Sequence, residues 1–345
     1  MEIHARAPLR IGFAGGGTDI DSYSKDYGGS VFNSTIGMYA YCTLIPTDDN
    51  KIVFSATDRS ERVELEAVPK IELSGELILH RGVYNRIVKD FNKGKPLSFQ
   101  MYTSVDAPAG SGLGTSSTLT VAILEAFNTW LQLGLNQYEK AKLAYEIERE
   151  DCKLSGGKQD QYAATFGGFN FIEFKKDGGV IVNPLRVDRW IINELECSLL
   201  LFYSGKSRES AKIIDQQIKN TKDKNEKSLE AMHALREASV VVKDAILAGN
   251  FDYFSQTMRE AWEAKKKTAS IITNSSIETI IANAVMHGAE AVKVSGAGGG
   301  GFILMYCNPV NRQRLMDGMN GFSGGRIFPV KFCKYGVESW IMKKE

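Results

Sequence analysis

Glycine placement constrains this chain more than any other feature of its 345 residues. Three glycine-rich segments, at residues 12–19 (GFAGGGTD), 107–117 (APAGSGLGTSS) and 293–302 (KVSGAGGGGF), each lie beside a run that reads as a β-strand. One such segment alone is most simply a tight turn. Three in one chain point to backbone N–H groups brought close to an anion, because glycine lets the main chain approach a ligand and a following helix N-terminus adds its dipole. Two familiar alternatives fail. The GKS at residues 205–207 lacks the first glycine of a Walker A loop, since Leu200 stands there. Gly296, Gly298 and Gly301 satisfy GxGxxG in letters, but the strand-like FILMYC follows where a dinucleotide fingerprint must open a helix.

Composition narrows the class. With 43% hydrophobic and 24% charged residues, the chain can fill a core without a disulfide or a structural metal. Forty-two basic against 41 acidic residues leave a net charge of +1, which argues against a general nucleic-acid binder or a polybasic membrane protein but allows a local basic pocket. Five cysteines without a CxxC pair, and four histidines with none at ligand spacing, argue against zinc. No apolar run approaches a membrane span and the N-terminal MEIHARAPLR has no signal-like core, so a cytoplasmic chain with reduced thiols is expected.

Strands are predicted at residues 6–13, 31–45, 52–55, 63–65 and 98–103, with a helix at 83–91. Residues 117–131 read as a helix apolar on nearly every face, and 137–150 as a second helix. The loop SGGKQDQ and a hairpin at 168–174 and 180–184 follow. Beyond a strand at 197–203 the character changes, with helices at 209–219, 226–247, 251–265 and 276–287. Strands at 291–294 and 302–306, a helix at 312–319 and a strand at 326–330 close the pattern. This shift places a domain boundary near residues 189–196, dividing the chain into 1–190 and 191–345.

The central segment has the context of a phosphate site. A strand feeds the loop Pro108, Gly110, Ser111, Gly112, Leu113 and Gly114, and Thr115, Ser116 and Ser117 open the next helix. Unpaired N–H groups and three hydroxyls therefore gather at the positive end of a helix dipole. The loop has no lysine, so triphosphate charge must be met by amides and a metal ion. On the following helix Ala141, Ala144, Tyr145 and Glu148 share a face at i, i+3, i+4 and i+7, and a carboxylate on that face needs a partner. Glu148 is either a helix-end glutamate paired with Arg149 or, with Ser116, a ligand for Mg²⁺. Asp160 is either a charge at a helix start or the acceptor of a proton from an attacking hydroxyl. Arg10, between Leu9 and Ile11, is either an exposed strand residue or the cation that steadies a transferred phosphoryl group.

These residues carry a resemblance. APLRIGFAGGGTD, PAGSGLGTSST and KVSGAGGGGF resemble, in order and over almost the whole chain, the three motifs of the GHMP kinase superfamily, the second being the most specific. The resemblance implies an α+β, two-domain fold. Its N-terminal domain would bind ATP and Mg²⁺ and contain a left-handed βαβ crossover, its C-terminal domain would be ferredoxin-like, and ATP and a small-molecule substrate would meet between them. It implies Ser116 and Glu148 on Mg²⁺, Asp160 as the catalytic aspartate, Arg10 facing it, and Asp19 on sugar hydroxyls. Gly16, Gly17, Thr18, Gly298 and Gly299 join Asp19 on the substrate side, and Lys158 serves the anomeric end. Galactokinases have Gly-Glu-His where this chain has Gly15, Gly16 and Gly17, so two sugar-contacting side chains are missing and a bulkier sugar has room.

Within the superfamily, PLRIGFAGGGTD, GLGTSS, SGGKQDQ and FYSGKSRES together are similar to kinases acting on the anomeric hydroxyl of a heptose 7-phosphate, on the way to surface polysaccharide. A fucokinase-like enzyme for an unphosphorylated sugar is the alternative. A non-catalytic sugar sensor is a further one, against which the joint presence of Arg10, Ser116, Glu148 and Asp160 speaks. A 7-phosphate would need a local basic pocket; Lys206 and Arg208 are the densest candidates, and a solvated turn is their other reading.

Overall fold

The computed structural model describes residues 1–205 and 210–343. Its first half runs β1 (Glu2–Ala14), α1 (Asp21–Tyr27), β2 (Gly29–Pro46), β3 (Lys51–Ala56), β4 (Glu61–Glu66), α2 (Ile78–Asp90), β5 (Phe99–Val105), α3 (Thr115–Leu131), α4 (Gln137–Glu146), α5 (Gln159–Phe166), β6 (Phe169–Phe174) and β7 (Val180–Pro184). The second half runs α6 (Arg189–Ser198), β8 (Leu199–Tyr203), α7 (Ser210–Lys222), α8 (Glu226–Leu247), α9 (Phe251–Thr268), α10 (Ser275–Met286), β9 (Ala289–Val294), β10 (Phe302–Cys307), α11 (Arg312–Met319), β11 (Arg326–Pro329) and β12 (Glu338–Met342).

Two sheets organise the molecule. In β1, Ile3, Ala5, Ala7, Leu9, Ile11 and Phe13 are buried in alternation, the period of a strand with a core face. The 18-residue β2 pairs along β1 and serves two further neighbours, β6 through its first half and β5 through its second. The resulting eight-stranded sheet has the order β12-β1-β2-β5-β3-β4, with β6 and β7 paired beyond β2. The second sheet is four-stranded and antiparallel in the order β11-β8-β10-β9. Its strands lie fourth, first, third, second in chain order, as in a ferredoxin-like fold.

α3 packs into the first sheet with Val121, Ala122, Ile123, Leu124, Ala126 and Phe127 all inaccessible, which accounts for its lack of a polar face. Another core is shared by the two halves: Leu9, Ile11 and Phe13 of β1 meet Leu199 and Leu201 of β8, Met258 of α9 and Phe302 of β10.

Three features depart from the pattern expected of the sequence. The helix predicted to run through residue 150 changes at Glu146 into a π turn, Ile147–Asp151. Residues 189–198 are the helix α6, with Ile191 and Leu195 buried. The chain also has a last strand, β12, which pairs with β1 from Glu2 opposite Met342 to Arg6 opposite Glu338. Arg6 clamps it there, donating to Glu338 Oε2 from Nε at 3.0 Å and Nη2 at 2.8 Å. Among the described residues no helix is long and apolar enough to cross a membrane.

Candidate active site

The register between β1 and β2 shifts between Pro8 and Arg10. Proline offers the ladder no N–H, and such irregularities re-aim the side chains beside them. Arg10 is only 4% exposed. Its Nη1 donates to the Gly112 carbonyl at 2.7 Å, and Nε and Nη2 reach Asp160 Oδ1 at 2.7 and 2.6 Å. Asp160, in the first turn of α5, therefore has one oxygen held by Arg10, while Oδ2 lies 3.1 Å from where a Cβ on Gly114 would stand.

The loop before α3 turns on glycines. Gly114 (φ +78°) is the N-cap of α3 and adds no side-chain hydrogen bond, so the first-turn N–H groups remain open to a ligand. Gly112 (φ +84°) lies so close to the third glycine-rich segment that a Cβ on it would come within 2.5 Å of the Ser295 carbonyl. Phe302 N donates to Ser111 O at 2.8 Å, completing the clasp between the two segments. As expected of a non-dinucleotide loop, Gly301 leads straight into β10.

Glu148 is fully buried in the π turn. Its Oε2 accepts from Ser117 Oγ at 2.8 Å and Gln161 Nε2 at 3.1 Å, and pairs with Arg149 Nη2 at 3.0 Å. Its Oε1 has no partner. Burial pushes its pKa up, against the opposing pull of Arg149 and Ser117. The hydroxyl bonded to Glu148 is thus that of Ser117, while Ser116 is exposed to the same cavity. A buried carboxylate oxygen without a donor, in a cavity that also exposes the Ser116 hydroxyl, fits a magnesium ion completed by phosphates and water. Among the described residues no group of three or more His, Cys, Asp or Glu gathers as a metal cluster.

Arg10, Asp160, Gly110, Gly112, Gly114, Thr115, Ser116, Ser117 and Glu148 line a cavity of about 270 Å³. A second cavity, about 290 Å³, meets it at Thr115, Ser116 and Leu154 and is lined by Leu77, Ile78, Ala107, Leu119 and the buried His80. Gly16, Gly17 and Asp19 of the first glycine-rich segment also wall the first cavity. Asp19 is 2% exposed; Oδ1 accepts from Gly17 N at 3.0 Å and Gln159 Nε2 at 3.3 Å, and Oδ2 from Gln159 N at 3.1 Å.

Four residues expected at the substrate sit elsewhere. The Thr18 hydroxyl is fully buried and spends itself on the Gly15 and Ser30 carbonyls at 2.8 and 2.9 Å, so it shapes the loop. Lys158 pairs with Asp21 Oδ1 at 2.5 Å over the Tyr145 ring, outside the cavity lining. Gly298 and Gly299 pack on Ile272, whose carbonyl accepts from Gly299 N at 2.8 Å; Gly296 and Ala297 line the cavity from that loop. Lys206 and Arg208 lie outside the described residues.

Other residues reach the site without having been expected there. Arg149 and Gln159 line the cavity, as does Lys265 from α9, 8% exposed, with Nζ donating to the Gly16 carbonyl at 2.8 Å. Burial draws the Lys265 pKa down to about 8. Lys293 donates to the Gly12 and Phe13 carbonyls at 2.7 and 2.9 Å, and burial draws its pKa to about 7. A signal for Lys265 exists in the sequence: Phe254, Met258, Ala261 and Lys265 fall on one buried helical stripe.

The GHMP kinases N terminal domain matches residues 78–168, and GHMP kinases C terminal matches residues 242–322. The D-glycero-alpha-D-manno-heptose 7-phosphate kinase of Campylobacter jejuni subsp. jejuni serotype O:2 is 46% identical, over 98% of this chain and 98% of its own length. The chain belongs to the GHMP kinase family. A crystal structure of a D-glycero-D-manno-heptose 1-phosphate kinase from Bacteroides thetaiotaomicron superposes on this GHMP kinase with a TM-score of 0.85 and 41% identity, covering 99% of this chain and 100% of that one. The L-fucokinase/L-fucose-1-P guanylyltransferase of Bacteroides fragilis is 27% identical over 88% of this chain but only 34% of its own length. As a member of this family the chain is a kinase with ATP as phosphoryl donor.

Proposed function

We propose that this kinase transfers the γ-phosphoryl group of ATP to the anomeric hydroxyl of D-glycero-α-D-manno-heptose 7-phosphate, forming the 1,7-bisphosphate. The reading places it in the cytoplasm, in the synthesis of surface polysaccharide. The observation that carries it is the 46% identity, across 98% of both chains, with the kinase of that name.

The geometry supports a division of labour along the cavity. ATP phosphates would lie on the N–H groups and hydroxyls of residues 108–117, with the base and ribose in the adjoining second cavity. Glu148 Oε1 and the Ser116 hydroxyl would hold Mg²⁺, which when bound supplies positive charge against the phosphates. Asp160, its Oδ1 fixed by Arg10, presents a carboxylate to the acceptor hydroxyl. The proton passes from that hydroxyl to Asp160, the sugar oxygen bonds to phosphorus, and the bond from phosphorus to ADP breaks. An anomeric hydroxyl is more acidic than an ordinary alcohol, so positioning and charge neutralisation carry most of the acceleration. Asp19, at the other end, accepts from sugar hydroxyls.

The test is ADP release over heptose 7-phosphate, heptose 1-phosphate, unphosphorylated heptose, L-fucose and galactose, with the new phosphate located by ³¹P NMR. Heptose 7-phosphate is expected to give the highest kcat/KM and a new phosphate on C1. A higher kcat/KM for L-fucose would replace this reading with a fucokinase-like one.

A further inference from the structure

The last turn of α9 contains three successive lysines, and one of them turns inward. Lys266 stays at the surface, paired with Glu263 at 2.7 Å. Lys265 is buried against the first glycine-rich segment and lines the active cavity. Its hydrogen bond goes to a neutral acceptor, the Gly16 carbonyl, at 2.8 Å. Among the described residues no carboxylate stands within the 4.0 Å of an ion pair with it. A buried ammonium so placed is costly unless something anionic comes to meet it.

Successive contacts place Lys265 relative to the chemistry. Gly114 of the phosphate loop touches Asp160, and Asp160 is held by Arg10. Next to Asp160, Gln159 bonds Asp19, and Asp19 bonds Gly17 N. Gly17 in turn abuts Lys265, whose Nζ is 3.2 Å from where a Cβ on that glycine would stand. The ammonium therefore lies against the first glycine-rich segment, near Asp19, which the proposed reading gives to the acceptor. A side chain at position 17 would cover it. The absence of a side chain at Gly17 is thus what leaves the cation open to a ligand.

We propose that Lys265 binds the phosphate monoester carried by the sugar acceptor and so makes the enzyme prefer a phosphorylated sugar. The assignment rests on the reading of the substrate as a heptose 7-phosphate and adds the residue that would select it. Burial, opposed by the nearby Asp19 charge and reinforced more weakly by that of Arg10, draws the Lys265 pKa down, and a bound dianion would restore the protonated form. Gly17, one of the glycines that stand in for sugar-contacting side chains, would then expose a charge in place of one.

Two measurements test this. In the first, inorganic phosphate is titrated into the parent protein, Lys265→Met and Lys265→Arg by ³¹P NMR, with the phosphate loop saturated by a non-hydrolysable ATP analogue. Binding in the parent that is lost in Lys265→Met and recovered in Lys265→Arg is expected. Equal phosphate affinity in all three overturns the assignment, whatever the natural sugar proves to be. In the second, kcat/KM is compared for heptose 7-phosphate and unphosphorylated heptose. The ratio should fall about tenfold or more in Lys265→Met, the size of one charge-assisted hydrogen bond, with KM for ATP within about twofold. Equal losses on both sugars would make Lys265 a prop for the Gly16 carbonyl instead. A parent that turns over neither heptose defeats the substrate reading but leaves the phosphate titration to decide Lys265.

Discussion

Asp160 and Glu148 are carboxylates of one cavity, and their neighbours separate their roles. Asp160 has an oxygen held by Arg10 and stands next to the loop, so Asp160→Asn keeps the shape while removing the proton acceptor. That variant should lose roughly 10²–10⁴ in kcat with the affinity for an ATP analogue nearly unchanged; near-normal turnover would remove Asp160 from the mechanism. Glu148 is buried with an unpartnered oxygen and a raised pKa. Glu148→Gln should raise the Mg²⁺ concentration for half-maximal rate by about tenfold or more and depress turnover more than it lowers Tm, since the amide keeps the shape but leaves Arg149 without its charge partner. An unchanged Mg²⁺ titration would make Glu148 a structural partner of Arg149. Arg10 and Asp160 were legible as members of one cavity because each sits in a quoted motif, and Glu148 because a carboxylate on the inward face it shares with Ala141 and Ala144 needs a partner. Lys265 was not, since a lysine triplet at a helix end reads as solvated, and only the stripe it shares with Phe254 and Met258 shows that one member faces inward. Lys158 misled in the opposite way: it is two residues from Asp160 in sequence, yet Asp21 draws it out of the cavity.

At the scale of elements, the second and third glycine-rich segments work as a clasp, with Gly112 against Ser295 and Phe302 N on Ser111 O. Gly112→Ala must accommodate both a positive φ and a 2.5 Å approach to a carbonyl, so it should cost roughly 1–3 kcal/mol of stability and raise KM for ATP several-fold. A thermal melt and an ATP titration check this; a variant matching the parent in both would show that the clasp yields. The strand and helix pattern was legible wherever the period was long, as in α3 and α8. It failed where local register departs from a uniform period: the π turn at Ile147–Asp151 adds width to a helix that otherwise reads as continuous, and such turns often mark functional sites. β12 escaped for another reason. Its burial pattern is half exposed and its strand state comes from pairing with β1, an interaction no local window contains.

For the whole molecule, buried bases tie stability to pH in one direction, as His80 and Lys265 illustrate. His80 bonds Thr103 Oγ1 through Nε2 at 2.9 Å, and burial lowers its pKa from 6.5 to about 3. The unfolded chain takes that proton first, so the His80 contribution to stability falls as pH drops from about 6.5 toward 3. For Lys265 the unfolded chain holds more protons between about 8 and 10.5, so stability rises with pH through that window. Lys265→Met should therefore be more stable than the parent at pH 7, with the advantage fading by pH 10.5. Urea unfolding at both pH values checks the sign, and an advantage that grows with pH would contradict it.

The pairing of β12 with β1 also orders events during synthesis. The strand that aims Arg10 is made more than 300 residues before its partner, and one of its edges stays bare until residues 338–342 emerge. Until then Glu2–Arg6 offers a row of unpaired amides to any neighbouring chain. The N-terminal sheet is thus born with an open seam that β12 zips shut, and the nascent polypeptide must be kept from strangers for as long as the ribosome takes to travel from one strand to the other.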